Sequence, residues 1–566
     1  MKSETIATKA INNYRKRDII AYLSLRYYLD TTVSKTDVWA KEVAVNLSIK
    51  NEKPNFLKTK QFKSFANNEL KQRTIYVPGP NDIIAESVLI NECSNFIEFH
   101  SSKSVYSYLF VSDEEDSIFQ HYMHGWKERY NSIKQACEIN TNQEVVYFDI
   151  KSFYPSISLE LAKVKWIETC DKTKINETIK KLGLTILSKY EKVQSNSDKK
   201  GLLVGPMFSH LIANLILNEV DKKMETITND KYWRYVDDIV IIGTSEDVKV
   251  YATKLTELLG ELKLYLHEED KIFNISASEW LLNSVAIKQE LSKKWMKQIV
   301  MLKQFIVDSP DQINNLNKRF IENNIRVNIP NATEDLRLKS RKIIRLENWY
   351  ENLKGNRKLS VSEIVDNFKK LNNYYLELFK SKVDLKIDNV LGLKSHQTLL
   401  RYLVGRLIYL SSEEDLKMVS AKISDIPELK LQYEIIRALI SLDISTILRL
   451  GSNAAQAAAQ VIKIKSKVVK CNIITPNKYD TQGLSIFKFH GISIEFNEET
   501  KVEEPLFKFA SGNIKASKNI DDQFLNEFGA LHGNTESKHK ETLESLFNKN
   551  ESFVLDALES DYGYGY

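Results

Sequence analysis

The stretch "WRYVDDIVIIG" (residues 233–243) sets two adjacent aspartates between aromatic and β-branched residues. Such a run predicts strand, turn and strand, with Asp237 and Asp238 at the turn. Paired aspartates usually mark a turn because their side chains bond their own backbone. In so apolar a hairpin, however, two like charges repel and lose solvation. The local cost is on the order of several kcal/mol unless a positive group compensates. A hard divalent cation such as Mg²⁺ suits this task, because it takes carboxylate oxygens and few other ligands. More oxygen ligands must then come from elsewhere in the chain.

One comes from "EVVYFDI" (144–150), a short apolar run of the buried-strand type that carries Asp149 near its end. Between the two runs lies "PMFSHLIANLILNEVDKKM" (206–224), with Phe208, Leu211, Ile212, Leu215 and Ile216 at helical spacing and Pro206 suited to a first turn. After the hairpin, "EDVKVYATKLTELLGELKL" (246–264) puts Tyr251, Leu255, Leu258 and Leu262 on one helical face, and a short strand follows near 271–275. Strand, helix, hairpin, helix, strand is the split βαβ order, a sheet with helices on one face. That order brings Asp149 beside the hairpin tip.

Upstream, the first seventy residues read as helical, with Ile19, Leu23, Tyr27 and Leu29 set among charges. "RTIYVPGPND" (73–82) then predicts a short strand stopped by Pro78, Gly79 and Pro80. Downstream of Gln289 long helical patterns dominate, in which stacked helical hairpins of irregular solenoid type are one arrangement. "LSIFKFHGISIEF" (484–496) alternates apolar and polar residues across His490 and Gly491, as a small β patch would. The expected organisation is three parts: 1–288, which holds the hairpin; 289–475, α-helical; and 476–566, the β patch and a polar tail ending in "SDYGYGY".

Length and composition bound the rest. A chain of 566 residues exceeds one ordinary core. A net charge of +5 permits a nucleic-acid channel without requiring one, since both signs occur throughout. Four scattered cysteines with no CxxC pair argue against a zinc site or disulfide framework and suit a reducing cytoplasm. No secretory leader is evident, and no apolar run reaches the ~20 residues a membrane span needs.

Four strings in order, "YFDIKSFYPSI" (147–157), "GLLVGPMFSHLIANLIL" (201–217), "RYVDDIVIIG" (234–243) and "LYLHEEDKIF" (264–273), resemble the palm motifs of reverse transcriptases. The resemblance covers about residues 60–290. It implies an α+β fingers-palm core with a split βαβ palm, followed by an α-helical C-terminal domain. It also implies DNA synthesis from dNTPs with two Mg²⁺ ions, for which Mn²⁺ can substitute. Asp149 and Asp237 would bridge the ions, Asp238 would be a weaker ligand, and the Ile150 carbonyl would add an oxygen. By the same resemblance Tyr154 lies under the sugar and excludes a 2′-hydroxyl. Lys271 is placed as general acid on the leaving pyrophosphate, and Arg73 grips the triphosphate. Val204 and Gly205 stand at the nucleotide where most of the family has Gln-Gly; the missing amide leaves template reading open.

"FYPSI", the altered helix start and the long helical C-terminal region are similar to bacterial defence-associated enzymes, the abortive-infection and "unknown group" reverse transcriptases. That likeness implies a cytoplasmic bacterial protein acting against phage, commonly a homo-oligomer and in some cases working with a non-coding RNA. It further implies RNA-directed or template-independent synthesis, with product DNA in parts of the group attached to a tyrosine of the enzyme. Tyr562, Tyr564 and Tyr566, alternating with glycines, are the candidate priming residues, with Tyr14, Tyr27 and Tyr28 as others. "RLKSRKIIRLE" (337–347) groups five cations that suit either phosphate contact or a solvated face. A conventional templated reverse transcriptase of an intron or retron, and a non-catalytic nucleic-acid-binding scaffold, are the alternatives.

Overall fold

The computed structural model describes residues 37–66, 69–111, 117–195, 200–267, 273–282, 286–327, 359–387, 390–518 and 521–531, with residues 6, 9, 10, 14, 20, 21 and 23–25 ahead of them. Lys271, Tyr27, Tyr28, the basic stretch 337–347 and the tyrosines at 562, 564 and 566 lie outside the described residues.

Strands β1 (Phe56–Ala66) and β2 (Glu69–Pro78) pair antiparallel. Strands β3 (Glu144–Asp149), β4 (Tyr232–Tyr235), β5 (Asp238–Gly243) and β6 (Phe273–Ser276) form an antiparallel sheet in the order β4-β5-β3-β6. Directly opposed residues of an antiparallel pair share a face. The pairs Val145 with Ile242, Tyr147 with Val240 and Asp149 with Asp238 therefore point one way. Val146, Phe148, Ile239 and Ile241 point the other way, into the main core with the Met207–Ile227 and Ser245–Glu261 helices.

Helices cover both faces of the sheet, not one as the split βαβ order predicts. The Asp149 face is covered too, by the Tyr122–Ile139 and Ala277–Leu282 helices, through a cluster that includes Ile133, Cys137, Trp233, Val240 and Trp280. The physical signal is in β5, which is buried on both sides from Ile239 to Gly243, as a doubly covered strand must be.

Two other expectations also fail. Residues 56–66, inside the stretch expected to be helical, are strand. In it Leu57 and Thr59 are buried while Lys58 is exposed, a period of two that wins once β2 supplies a ladder partner. Residues 484–489, expected in a β patch, belong to the Lys478–Phe489 helix. Alternation misleads there because Leu484, Ile486, Phe487 and Phe489 are all buried, so the helix is wrapped on most sides. A capping box, Asn477 with Asp480, starts it. Gly491, at φ +73°, follows its end. Only the Ser493–Phe496 segment is strand, paired in parallel with Val468–Cys471.

The C-terminal region is helical, and the boundary expected after residue 288 falls inside the Ala286–Asp308 helix. Its apolar residues belong to the same core cluster as the sheet's, which runs from Ile6 to Phe528 among the described residues. It also grips the β1–β2 hairpin. Asn453 brackets Phe62, accepting from its N–H at 2.8 Å and donating to its carbonyl at 3.2 Å. Gln72 Nε2 donates to the Arg449 and Leu450 carbonyls, and Gln482 Nε2 to the Lys58 carbonyl. Gly451 sits at φ +119°, where a Cβ would fall 2.4 Å from the Lys60 carbonyl oxygen, so only glycine allows this approach. No helix among the described residues is long and apolar enough to cross a membrane.

Candidate active site

Asp149 ends β3 and opposes Asp238, the first residue of β5, while Asp237 occupies the two-residue turn between β4 and β5. The Ile150 N–H donates to the Asp237 carbonyl at 3.2 Å, so the strand end and the turn are tied directly. Three of the predicted residues, and Ile150 with them, thus converge. The Ile150 side chain itself is core.

The turn is strained and braced. Val236 has φ +58°, a left-handed conformation that β-branched residues avoid. Its N–H donates to Ser107 Oγ at 2.8 Å and its carbonyl accepts from Arg234 Nη1 at 2.9 Å. Arg234 is fully buried and meets Asp221 through two bonds, Nε to Oδ1 at 2.8 Å and Nη2 to Oδ2 at 2.7 Å. The Tyr232 hydroxyl donates to the same carboxylate. A geometry that costs roughly 1–3 kcal/mol of backbone strain persists because its surroundings overdetermine it.

The electrostatics match a cation site. The Asp237 carboxyl is pushed up to about 6, first by burial and then by the Asp149 charge, with Arg73 and Lys63 pulling the other way. Both cations sit on the β1–β2 hairpin. Arg73 is opposite Gln61, and Lys63 is the extra residue of a bulge between Phe62 and Ser64. The hairpin is therefore the arm that brings positive charge toward the carboxylates. Its base contacts the next predicted pair, where the Tyr76 N–H donates to the Val204 carbonyl at 2.8 Å. Gly205, at φ +127°, leaves no room for a Cβ, which would lie 2.3 Å from the Tyr76 carbonyl oxygen. The Met207–Ile227 helix begins just beyond. Its first N–H groups are taken by the Tyr14 hydroxyl, at 3.0 Å from Met207 N, and by Glu86, which accepts from Phe208 N. Tyr14 is buried and also donates to Glu86, so its hydroxyl is a structural strut rather than an accessible nucleophile.

Tyr154 stands half-buried on a single helical turn, Phe153–Ser156, entered through Ser152 at φ +51°. Its hydroxyl shares a 2.5 Å hydrogen bond with His210 Nδ1.

Four neighbours escaped the sequence. His267 donates its N–H to the Asp149 carbonyl at 2.8 Å and places Nε2 3.4 Å from Asp149 Oδ2. Arg129, buried in the Tyr122–Ile139 helix, donates through Nη2 to the Asp238 carbonyl at 3.2 Å. Burial lowers its pKa, and the Asp238 charge opposes that shift. Lys63 was hidden by the helical expectation for β1. His210 sits in a helix whose sequence signal is its apolar spacing, which gives no sign of a polar role at that position. Only His267 had a local signal, its place four residues before Lys271 in "LYLHEEDKIF".

Carboxylate oxygens at a strand end and an adjoining turn are the donor set a hard divalent ion takes. Among the described residues no three acidic, histidine or cysteine side chains are grouped closely enough to hold an ion by themselves. Mg²⁺ commonly completes its shell with water and substrate phosphate, which two carboxylates leave room for.

Residues 87–281 match the family model described as reverse transcriptase (RNA-dependent DNA polymerase). No curated protein matches the chain. Among solved structures, a telomerase from Candida albicans in complex with the TWJ fragment of telomeric RNA is 9% identical, covering 69% of this chain and 71% of that one at a TM-score of 0.28, a likeness too slight to bear on the fold.

Proposed function

We propose, from the premise that residues 87–281 carry a reverse-transcriptase domain and that the chain is a nucleotidyltransferase of that type, that it polymerises dNTPs at Asp149 and Asp237 with two divalent metal ions. The observation that carries this is the meeting of Asp149 with the strained tip carrying Asp237, under the charge of Arg73 and Lys63. Mg²⁺ bound there supplies charge neutralisation of the phosphates and activation of the attacking hydroxyl. Asp149 and Asp237 would hold the ions, Asp238 would add a weaker oxygen and Ile150 a carbonyl. Arg73 and Lys63 bind and orient the triphosphate. Tyr154 walls the sugar, Lys271 protonates the leaving pyrophosphate, and Val204 and Gly205 flank the nucleotide. The split βαβ palm and the replacement of a thumb by the C-terminal helices belong to this proposal.

The setting we propose is antiphage defence of the abortive-infection kind in a bacterial cytoplasm. Its product would be DNA attached to a tail tyrosine, Tyr562, Tyr564 or Tyr566, and the enzyme would be a homo-oligomer. This rests on the resemblance of "FYPSI" and on Val204, which lacks the amide that ordinary template reading uses. A non-coding RNA is the proposed additional partner.

The test incubates nucleic-acid-free protein with Mg²⁺ and labelled dNTPs, with and without primer and RNA template, and runs denaturing gels before and after protease digestion. Label held by protein until digestion supports protein-primed, untemplated synthesis. Label that appears only with primer and template returns the chain to conventional reverse transcription. In either case Asp237→Asn should abolish incorporation, and Arg73→Ala and Lys63→Ala should raise KM for dNTP about tenfold each. Full incorporation by Asp237→Asn would refute the site.

A further inference from the structure

Tyr154 is a tyrosine where a phenylalanine would make an equally good wall against a sugar. Its hydroxyl therefore has some other task, and the bond to His210 shows which. A single turn of helix holds its own shape poorly, because one turn fixes many dihedrals for few hydrogen bonds. The Tyr154 ring rests on Phe153, with centroids 5.1 Å apart, and on the edge of the main core, and the bond to His210 adds a fixed point at the hydroxyl end.

His210 comes from a different and stiffer element, the 21-residue Met207–Ile227 helix. It is 4% exposed, and its ring lies flat on Tyr108 with centroids 3.7 Å apart and planes 10° apart. Tyr108 in turn meets Phe119 edge-on at 5.6 Å. The imidazole is thus held in place by an aromatic stack before it reaches Tyr154. From there Nδ1 shares a 2.5 Å hydrogen bond with the Tyr154 hydroxyl, which sits on the ring carbon opposite the Cβ attachment. The ring is pinned at both ends.

We infer that His210 is a positioning residue for sugar selection, fixing the Tyr154 ring so that it excludes a 2′-hydroxyl, with Tyr108 as the platform that fixes His210 in turn. This deepens, and rests on, the assignment of Tyr154 as the sugar wall. Rejecting one additional oxygen demands a wall that does not yield, and such walls depend on the groups behind them.

The experiment measures kcat/KM for a dNTP and the matching rNTP in single-nucleotide incorporation, for the full chain with Mg²⁺. The variants are Tyr154→Phe, His210→Phe, their combination, His210→Asn and Tyr154→Ala. Tyr154→Phe keeps the ring and loses the bond. His210→Phe keeps a ring on Tyr108 and loses Nδ1. Each should lower the dNTP-to-rNTP ratio about tenfold, chiefly by a lower KM for rNTP. The combination should lower it no further, because both changes delete one bond. His210→Asn, whose amide reaches back toward Tyr154, should recover part of the ratio. A role in folding alone would scale both substrates together and leave the ratio where it was.

Should Tyr154→Ala lose selectivity while Tyr154→Phe and His210→Phe keep the parent ratio, the pinning role is overturned and the wall stands. An unchanged ratio in Tyr154→Ala overturns the wall and the pin together. Failure of the parent chain to incorporate any nucleotide overturns the polymerase proposal and this one with it.

Discussion

Asp237 is expected to weaken the metal-free protein, and its removal to stabilise it. Its carboxyl is raised from 3.8 to about 6 by burial and by Asp149. Between those two values the folded chain holds a proton that the unfolded chain releases. Stability therefore falls as pH rises through this window, the reverse of the usual salt-bridged aspartate. A shift of about two units at 1.36 kcal/mol per unit corresponds to about 3 kcal/mol of destabilisation once the group is fully ionised. Asn keeps the shape and removes the charge. In metal-free buffer Asp237→Asn should thus be more stable than the parent by up to about 3 kcal/mol at pH 8, and by about half as much at pH 5. Denaturant unfolding at the two pH values measures this. Addition of Mg²⁺ should stabilise the parent and close the gap, since the ion supplies the charge that the apo site lacks. A variant no more stable than the parent at pH 8, or a gain that does not change with pH, would refute the claim that burial and the Asp149 charge make the ionised Asp237 carboxylate costly at this turn.

Two further perturbations probe what braces the site. Asp221→Ala strands the fully buried Arg234 guanidinium and should cost about 3–5 kcal/mol in unfolding free energy. Asp221→Leu combined with Arg234→Met should recover much of it, and additive losses would show that the pair is not coupled. Gly451→Ala sets a Cβ against the Lys60 carbonyl at positive φ and should destabilise by about 2 kcal/mol or more. It should also raise KM for dNTP, because Arg73 and Lys63 ride on the hairpin it displaces. A neutral result would mean the hairpin does not depend on the C-terminal helices.

The sequence alone determined where the carboxylates lie and that they meet. The hairpin at 232–243, the strand ending at Asp149 and the helix after Pro206 are written in short-range periodicity and in turn and breaker residues, which act within a few positions. Two like charges in an apolar run likewise call for a compensating positive group, whatever the fold. Tertiary structure decided the rest. Residues 56–66 became strand because a partner ladder and helices some 390 residues away, at Ser452 and Asn453, bind them. The sheet's second covered face placed Arg129 behind Asp238, and the β1–β2 hairpin brought the charge of Lys63, at its bulge, to bear on Asp237. His210 met Tyr154 across 56 positions. None of these contacts has a local signature, because each is a hydrogen bond or charge pair between elements that come together only when the core forms.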